Sequence, residues 1–399
     1  MKSLSISRRK FLKASVIGTV GASIGSKVIA NSESDGEKSN VIYRKLGKTD
    51  LELPIVSMGV MRSDSPNLVK AALEMGVKHF DTAHGYQQGN NEIMLGNFFK
   101  NYPRDSYTIA TKVHPDDSDR NTGELGPGST KESFLEKLNI SLQRLQTTYV
   151  DILYQHSASS AQAVKFEPVL DALLTAKKEG KARYIGLSTH RNEPEVIQAA
   201  IETGVIDVVL TAINFKQEHN KELKEKIALA AKNGIGIVAM KTMAGAYLDR
   251  ERTQPINCKA ALKWVLQDPN IHTSIPGITS VEALIENWSV MGNLEISDKE
   301  LNDLEAAGLV AGLYCDGCKE CDGKCRKGLP VQDIMRSYMY AYGYNDFRQA
   351  QELINHHGIS GNPCEDCDIC TVGCIKNFAV NQKIKDIIRI SEVPGEFLA

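Results

Sequence analysis

The sequence lacks the features of several protein classes. It has no basic excess: 47 Lys and Arg stand against 49 Asp and Glu, a formal charge of −2, so nothing here is built to hold nucleic acid. No apolar run reaches the ~18 residues that a bilayer-spanning helix needs. No Gly-rich dinucleotide fingerprint follows the first strand-like run, where Gly59-Val60-Met61-Arg62 stands instead, and no flavin fingerprint is visible. What remains is an ordinary globular composition, 42% hydrophobic and 24% charged, over 399 residues. That is enough for one large barrel and a smaller module.

The first 30 residues read as an address. Ser7-Arg8-Arg9-Lys10-Phe11-Leu12-Lys13 precedes an uncharged run from Ala14 to Ser26, and Val28-Ile29-Ala30 offers a small-residue cleavage site. Paired arginines before this run resemble a twin-arginine export signal, which implies passage through the export machinery as a folded protein and a periplasmic destination. Cleavage after Ala30 removes six basic and no acidic residues. Residues 31–40 (NSESDGEKSN) form a polar leader expected to be disordered.

From residue 53 onward, short apolar runs alternate with amphipathic segments. The expected strands are Ile55–Met61, Lys78–Thr82, Tyr107–Val113, Val150–Gln155, Ala182–Ser188, Val208–Ile213, Ile235–Lys241 and His272–Pro276. The expected helices include Pro66–Glu74, Lys131–Leu145, Pro168–Lys178, Pro194–Glu202, Lys221–Ala231 and Ala260–Leu266. This alternation predicts an α/β fold, a (β/α)8 TIM barrel over 41–308, with its site at the strands' C-terminal ends. Standing at those ends are Asp81 and Tyr86 after strand two, Lys112 on strand three and His156 after strand four. A phenol titrating near ~10 is a poor acid at neutral pH unless a cation stabilises its phenolate. Lys112 is placed to do so, Asp81 to hold the lysine, and His156 to orient a carbonyl oxygen or relay the proton.

These four positions, with Tyr43-Arg44-Lys45-Leu46-Gly47, Gly186-Leu187-Ser188-Thr189, Ile275-Pro276-Gly277 and Glu286-Asn287, resemble the aldo-keto reductase family. The resemblance implies a nicotinamide-dependent oxidoreductase acting on a small-molecule carbonyl or alcohol. In it Tyr86 is the general acid, and Asp81, Lys112 and His156 support it. Ser188, Asn214, Gly277, Glu286 and Asn287 match cofactor-binding positions. Departures thin the expected grip on an NADP or NAD molecule: Leu210 stands for a common Gln, Met240 for a stacking aromatic, and Gly277, Thr279 and Ala283 for basic residues toward a 2′-phosphate.

Eight of nine cysteines fall between 315 and 374, as Cys315-x2-Cys318-x2-Cys321-x3-Cys325 and Cys364-x2-Cys367-x2-Cys370-x3-Cys374. This is the bacterial ferredoxin spacing for 4Fe-4S clusters, in which the fourth Cys of each string ligates the other cluster. The expected sets are Cys315, Cys318, Cys321 and Cys374, and Cys325, Cys364, Cys367 and Cys370. Structural zinc and disulfides do not use this repeated triplet spacing. Residues 309–399 are therefore expected to be a small ferredoxin-like iron–sulfur module, with helices Val331–Tyr342 and Asp346–Asn355 covering the clusters and Asn377–Ile390 closing the chain. Cys258 is expected to be an apolar filler. His84 and His190, near the expected mouth, are read as substrate contacts or solvated loop residues, the latter slightly favoured, and residues 114–129 as one wall of the pocket. The clusters are expected either to carry electrons, with a redox partner protein, or to be structural, folding the tail over the barrel mouth and shaping the substrate pocket. A second reading makes the chain an electron-transfer or binding protein whose barrel no longer performs nicotinamide chemistry.

Overall fold

The computed structural model of the chain describes residues 41–367 and 369–398; the expected signal and leader lie outside them. Eight parallel strands form one sheet: Met58–Gly59, His79–Asp81, Thr108–Val113, Val150–Gln155, Ala182–Thr189, Val208–Ala212, Gly236–Met240 and Thr273–Ser274. The sheet closes on itself through Val56 opposite Ser274 and Gly59 opposite Gly277. Ser57 N–H donates to the Ser274 carbonyl at 2.8 Å, and Ser274 N–H to the Ile55 carbonyl at 2.9 Å. All eight expected strands are present. The first and last contribute only two residues of regular ladder each.

An antiparallel hairpin, Tyr43–Lys45 with Glu52–Pro54, precedes the barrel. Leu46, Leu51 and Leu53 from this hairpin pack with the inward-facing Ala110, Ile152, Tyr154, Val208, Leu210 and Val238, so the barrel is a filled core stoppered at its N-terminal end. Gly47, with φ of 55°, lies against the backbone of residues 234–236, where a side chain has no room. A helix absent from the periodicity, Asn90–Phe99, follows the second strand. Its buried face carries Asn91 and Glu92, so no apolar stripe marks it. The Asn91 amide donates to the Val60 and Ser63 carbonyls at 2.7 and 3.1 Å, and Glu92 accepts from the Thr111 hydroxyl at 2.6 Å.

The barrel's last helix, Asp298–Leu309, starts in a capping box formed by Ser297 and Glu300. Lys263 donates to both Glu300 oxygens, at 2.9 and 3.0 Å, and with the Ser297 bonds this lowers the Glu300 carboxyl to about 2. A carboxylate held below its ordinary value of ~4.3 adds stability that is present above that value and is lost as pH falls toward the folded pKa. Glu300→Gln is therefore expected to melt below the parent at neutral pH and to match it near pH 2. A melting difference independent of pH would refute this account.

Residues beyond Leu309 pack with the barrel into one compact unit. They form helices Val331–Tyr338, Phe347–His356 and Val380–Ile387 around Ile334, Met335, Ile354, Ile384 and Ile387. Among the described residues this module contains no strand. Helices of eight and ten residues, Val331–Tyr338 and Phe347–His356, lie between the two cysteine strings. The helix from Val331 ends in a π turn, Met339–Gly343, rather than running regularly to Tyr342.

Candidate active site

Each residue expected at the barrel mouth stands on a rigid strand end. Lys112 is 1% exposed, and its three ammonium protons are spent on Asp81 Oδ1, on the Thr82 carbonyl at 2.7 Å and on Tyr86 Oη at 3.3 Å. The ammonium also lies 4.8 Å from the Tyr86 ring centroid. The His156 ring meets the Tyr86 ring edge-to-face, with centroids 5.8 Å apart. Asp81, Lys112, Tyr86 and His156 thus form one connected group although 75 residues separate the first from the last in the sequence.

The electrostatics correct one expectation. Burial raises the Tyr86 phenol above its usual range; Lys112 pulls it down and Asp81 pushes it up, and burial wins. In this site the phenol is a protonated donor, and the lysine's part is to receive the charge that forms when the proton leaves. Lys112 stays charged, because Asp81 and Tyr86 outweigh the burial that would neutralise it. His156 falls well below its ordinary range, chiefly through burial and then through Lys112, His114 and Lys241, so it is a neutral imidazole.

Ser188 and Asn214 lie fully buried at the ends of the fifth and sixth strands. The Ser188 hydroxyl accepts from Ser157 N–H at 2.9 Å and keeps its own proton uncommitted. The Asn214 amide is engaged by the protein: its oxygen accepts from Lys216 N–H at 3.0 Å and its nitrogen donates to the Lys241 carbonyl at 3.3 Å. Gly277 and Glu286 are exposed beyond the eighth strand, and Asn287 is buried in helix Val281–Trp288. The five positions therefore make a strip rather than a closed pocket, with Ser188 the side chain left free to hold an amide.

His190 does not behave as a solvated loop residue. Its ring centroid lies 6.4 Å from that of His156, and burial, then Lys241, His156 and Arg336, hold it well below its ordinary range. His84 is also tied down, with Nδ1 3.0 Å from the Ser141 hydroxyl. Spacing alone does not reveal these contacts.

Sequence reasoning also missed residues that the module brings to the mouth. Lys241 ends the seventh strand with φ of 57°, and Tyr340 and Tyr344 reach it from the π turn and the residue after it, with ring centroids 4.7 and 5.2 Å from the ammonium. Arg336 Nη2 donates to Tyr340 Oη at 3.2 Å. The string Tyr338-Met339-Tyr340-Ala341-Tyr342-Gly343-Tyr344 was the available signal. The module is fastened to the barrel by Lys216, which donates to the Val310 carbonyl at 2.6 Å, and by Arg252, which donates to Asn345 at 2.6 Å.

The cysteines gather as two sets. Cys315, Cys318, Cys321 and Cys374 line one cavity. The Cys364 thiol is raised by burial and then by its neighbours Cys367, Cys370 and Cys325. In the first set, burial and the other thiols push Cys321 up to about 12. All nine cysteines are unpaired, and among the described residues no group of three His, Cys, Asp or Glu is placed to hold a single metal ion. Cys258 is a largely buried thiol raised by burial to about 12, as an inert filler should be.

A parallel eight-stranded barrel with a Lys–Asp–Tyr–His relay at its C-terminal mouth defines an oxidoreductase of the TIM-barrel class. The aldo/keto reductase family model matches residues 53–260, more than half of the chain, and the chain belongs to that family. It is 26% identical over 339 residues to the L-glyceraldehyde 3-phosphate reductase of Escherichia coli K12, covering 69% of this chain and 94% of that protein. It is 24% identical over 309 residues to the L-galactose dehydrogenase of Arabidopsis thaliana, covering 67% and 94%. Among solved structures, a holo-form aldo-keto reductase from Bacillus halodurans superposes with a TM-score of 0.55 at 21% identity, over 67% of this chain and 96% of that one.

Proposed function

We propose that this oxidoreductase is a periplasmic enzyme, exported by the twin-arginine route, that interconverts a small polar carbonyl compound and its alcohol, and that its C-terminal module holds two 4Fe-4S clusters. The observation that carries the reaction is the spending of all three Lys112 protons on Asp81, Thr82 and Tyr86, with the Tyr86 ring against His156. In this reading Tyr86 is the general acid. Lys112 stabilises the phenolate left behind, Asp81 keeps the lysine charged and in place, and neutral His156 steadies the carbonyl oxygen. A reduced nicotinamide, NADP or NAD, supplies the hydride when bound; Ser188 offers its free hydroxyl, and Asn214, Gly277, Glu286 and Asn287 border the rest of the strip. The named substrates of relatives, L-glyceraldehyde 3-phosphate and L-galactose, support a small hydroxylated carbonyl as the substrate class.

Chemistry and grouping support the clusters. A cubane binds one thiolate at each iron corner, so its ligands surround a volume and need not converge on one point. Thiols raised to about 12 by burial and mutual repulsion, as Cys315 and Cys321 are, need a cationic core before they give up their protons. The second reading, a carrier whose barrel no longer uses a dinucleotide, is favoured by the engaged Asn214 amide. Protein purified without oxygen and then denatured separates the two. Stoichiometric NADP or NAD with about eight irons per chain supports the enzyme with two clusters, and iron without nucleotide or carbonyl turnover supports the carrier. Absence of both iron and sulfide would overturn the cluster assignment.

A further inference from the structure

Beside the Tyr86 relay, the mouth holds three cations, of which Arg336 also acts on the Cys315 thiol of the first cysteine set. Arg336 is 7% exposed and Arg191 9%, and Lys241 is half-buried. Among the described residues none of the three forms an ion pair with a carboxylate, although Lys112, Lys216 and Lys376 nearby all find acceptors. Arg336 has Tyr340 Oη and, at 3.5 Å, the His190 carbonyl. Lys241 has only Tyr340 Oη, at 3.5 Å, besides the two tyrosine faces. Arg191 donates to the Arg120 and Asn121 carbonyls while its Nε has no acceptor. His190 Nδ1 and Tyr344 Oη are likewise enclosed without a partner among the described residues. Buried cations are ordinarily paired, and buried donors ordinarily bonded.

Asp333 and Asp322 act on Arg191 without an ion pair, and other acidic groups of the region are committed elsewhere. Glu193 bonds His219 and Gln217, and Asp346 caps helix Phe347–His356 through Gln349 N–H. Burial raises the Tyr340 phenol, but Lys241 and Arg336 together bring it down to about 8, which shows how strongly the two cations act at that point. The Lys241 backbone, at positive φ, accepts a bond from the Asn214 amide, and its ammonium lies against two tyrosine faces, as expected where a side chain must be held in one place for a ligand.

We propose that Lys241 and Arg336, with Tyr340 between them, bind an acidic group, carboxylate or phosphate, carried by the carbonyl substrate. The inference rests on the carbonyl reading of Tyr86 and His156 given above. Lys241 belongs to the barrel, while Arg336, Tyr340 and Tyr344 belong to the module, so the subsite exists only when the two parts are joined. It adjoins His190, whose ring neighbours that of His156, so the acidic group binds alongside the reacting carbonyl. The positions matched to the nucleotide's far end, Gly277, Glu286 and Asn287, lie at the eighth strand instead.

The test uses the full holoprotein. Glyoxylate and 4-oxobutanoate are compared with butanal by calorimetric binding to the Tyr86→Phe protein and by initial rates with the parent. Charge-assisted binding is expected to favour one of the acids over the neutral aldehyde by roughly ten- to hundredfold. Lys241→Met and Arg336→Met should each bring that ratio toward one, and the Lys241 variant stands alone if the buried arginine proves necessary for folding. Equal binding of acids and aldehyde, or binding of none, overturns the proposal. So does a loss of NADPH and NADH affinity in both variants with the acid preference intact, which would assign the cations to the dinucleotide's pyrophosphate. Persistent turnover in Tyr86→Phe would refute the carbonyl reading alone, since the binding ratio does not depend on it.

Discussion

Tyr86→Phe is expected to lower kcat by roughly 10²–10⁴-fold, the range for losing a positioned general acid. Only the hydroxyl is removed, and it accepts a single bond, at 3.3 Å, from Lys112. The lysine keeps Asp81 and the Thr82 carbonyl, and the ring keeps its packing on His156. Fold, melting temperature and the visible absorbance of any bound cluster should therefore be unchanged. An interaction made only in the transition state lowers kcat and kcat/KM together, so KM should move little. Turnover within tenfold of the parent would remove Tyr86 from the reaction.

Lys112→Met is expected to be the most destabilising single change in the mouth, by about 3–5 kcal/mol, because it strands a buried carboxylate. Asp81 is 1% exposed, and its second oxygen already lacks a partner among the described residues. Burial raises the Asp81 carboxyl, and Lys112 is the group that opposes this. Without the lysine the folded chain holds a proton on Asp81 that the unfolded chain releases above its ordinary value of ~3.9. Folded protein then binds more protons than unfolded protein, so stability falls as pH rises above that value. The variant should be weakest at neutral pH and recover on acidification. Lys112→Met combined with Asp81→Asn should regain most of the loss while remaining inactive. Denaturant midpoints across pH check both statements; a loss below about 1 kcal/mol, as for an exposed ion pair, would contradict the buried-pair account.

Much of this was legible in the sequence. Parallel strands buried on both faces read as apolar runs, and the eight runs named from residues alone are the eight strands of the barrel. Residues at strand ends could be named because a TIM barrel fixes where strand ends converge. The hidden parts have physical causes. Helix Asn90–Phe99 buries Asn91 and Glu92 alongside Leu95 and Phe99, so its inner face is a mixture that shows no clear apolar period. Tyr86 carries a phenol whose pKa depends on enclosure, and enclosure follows from parts of the chain far from residue 86. Lys241 and Tyr340 meet across 99 residues of sequence, and a string of tyrosines does not announce which strand end it will cover.

The barrel's closure has a consequence for the order in which the molecule comes into being. Its first strand is hydrogen-bonded to its last, Ser57 to Ser274, so a chain emerging from the ribosome cannot complete the ring until more than two-thirds of it has been made. The arginine and tyrosines that cover the mouth are synthesised later still. Between these events the nascent protein presents a finished, uncovered mouth to its surroundings, and whatever is to be enclosed there has its widest doorway before synthesis ends.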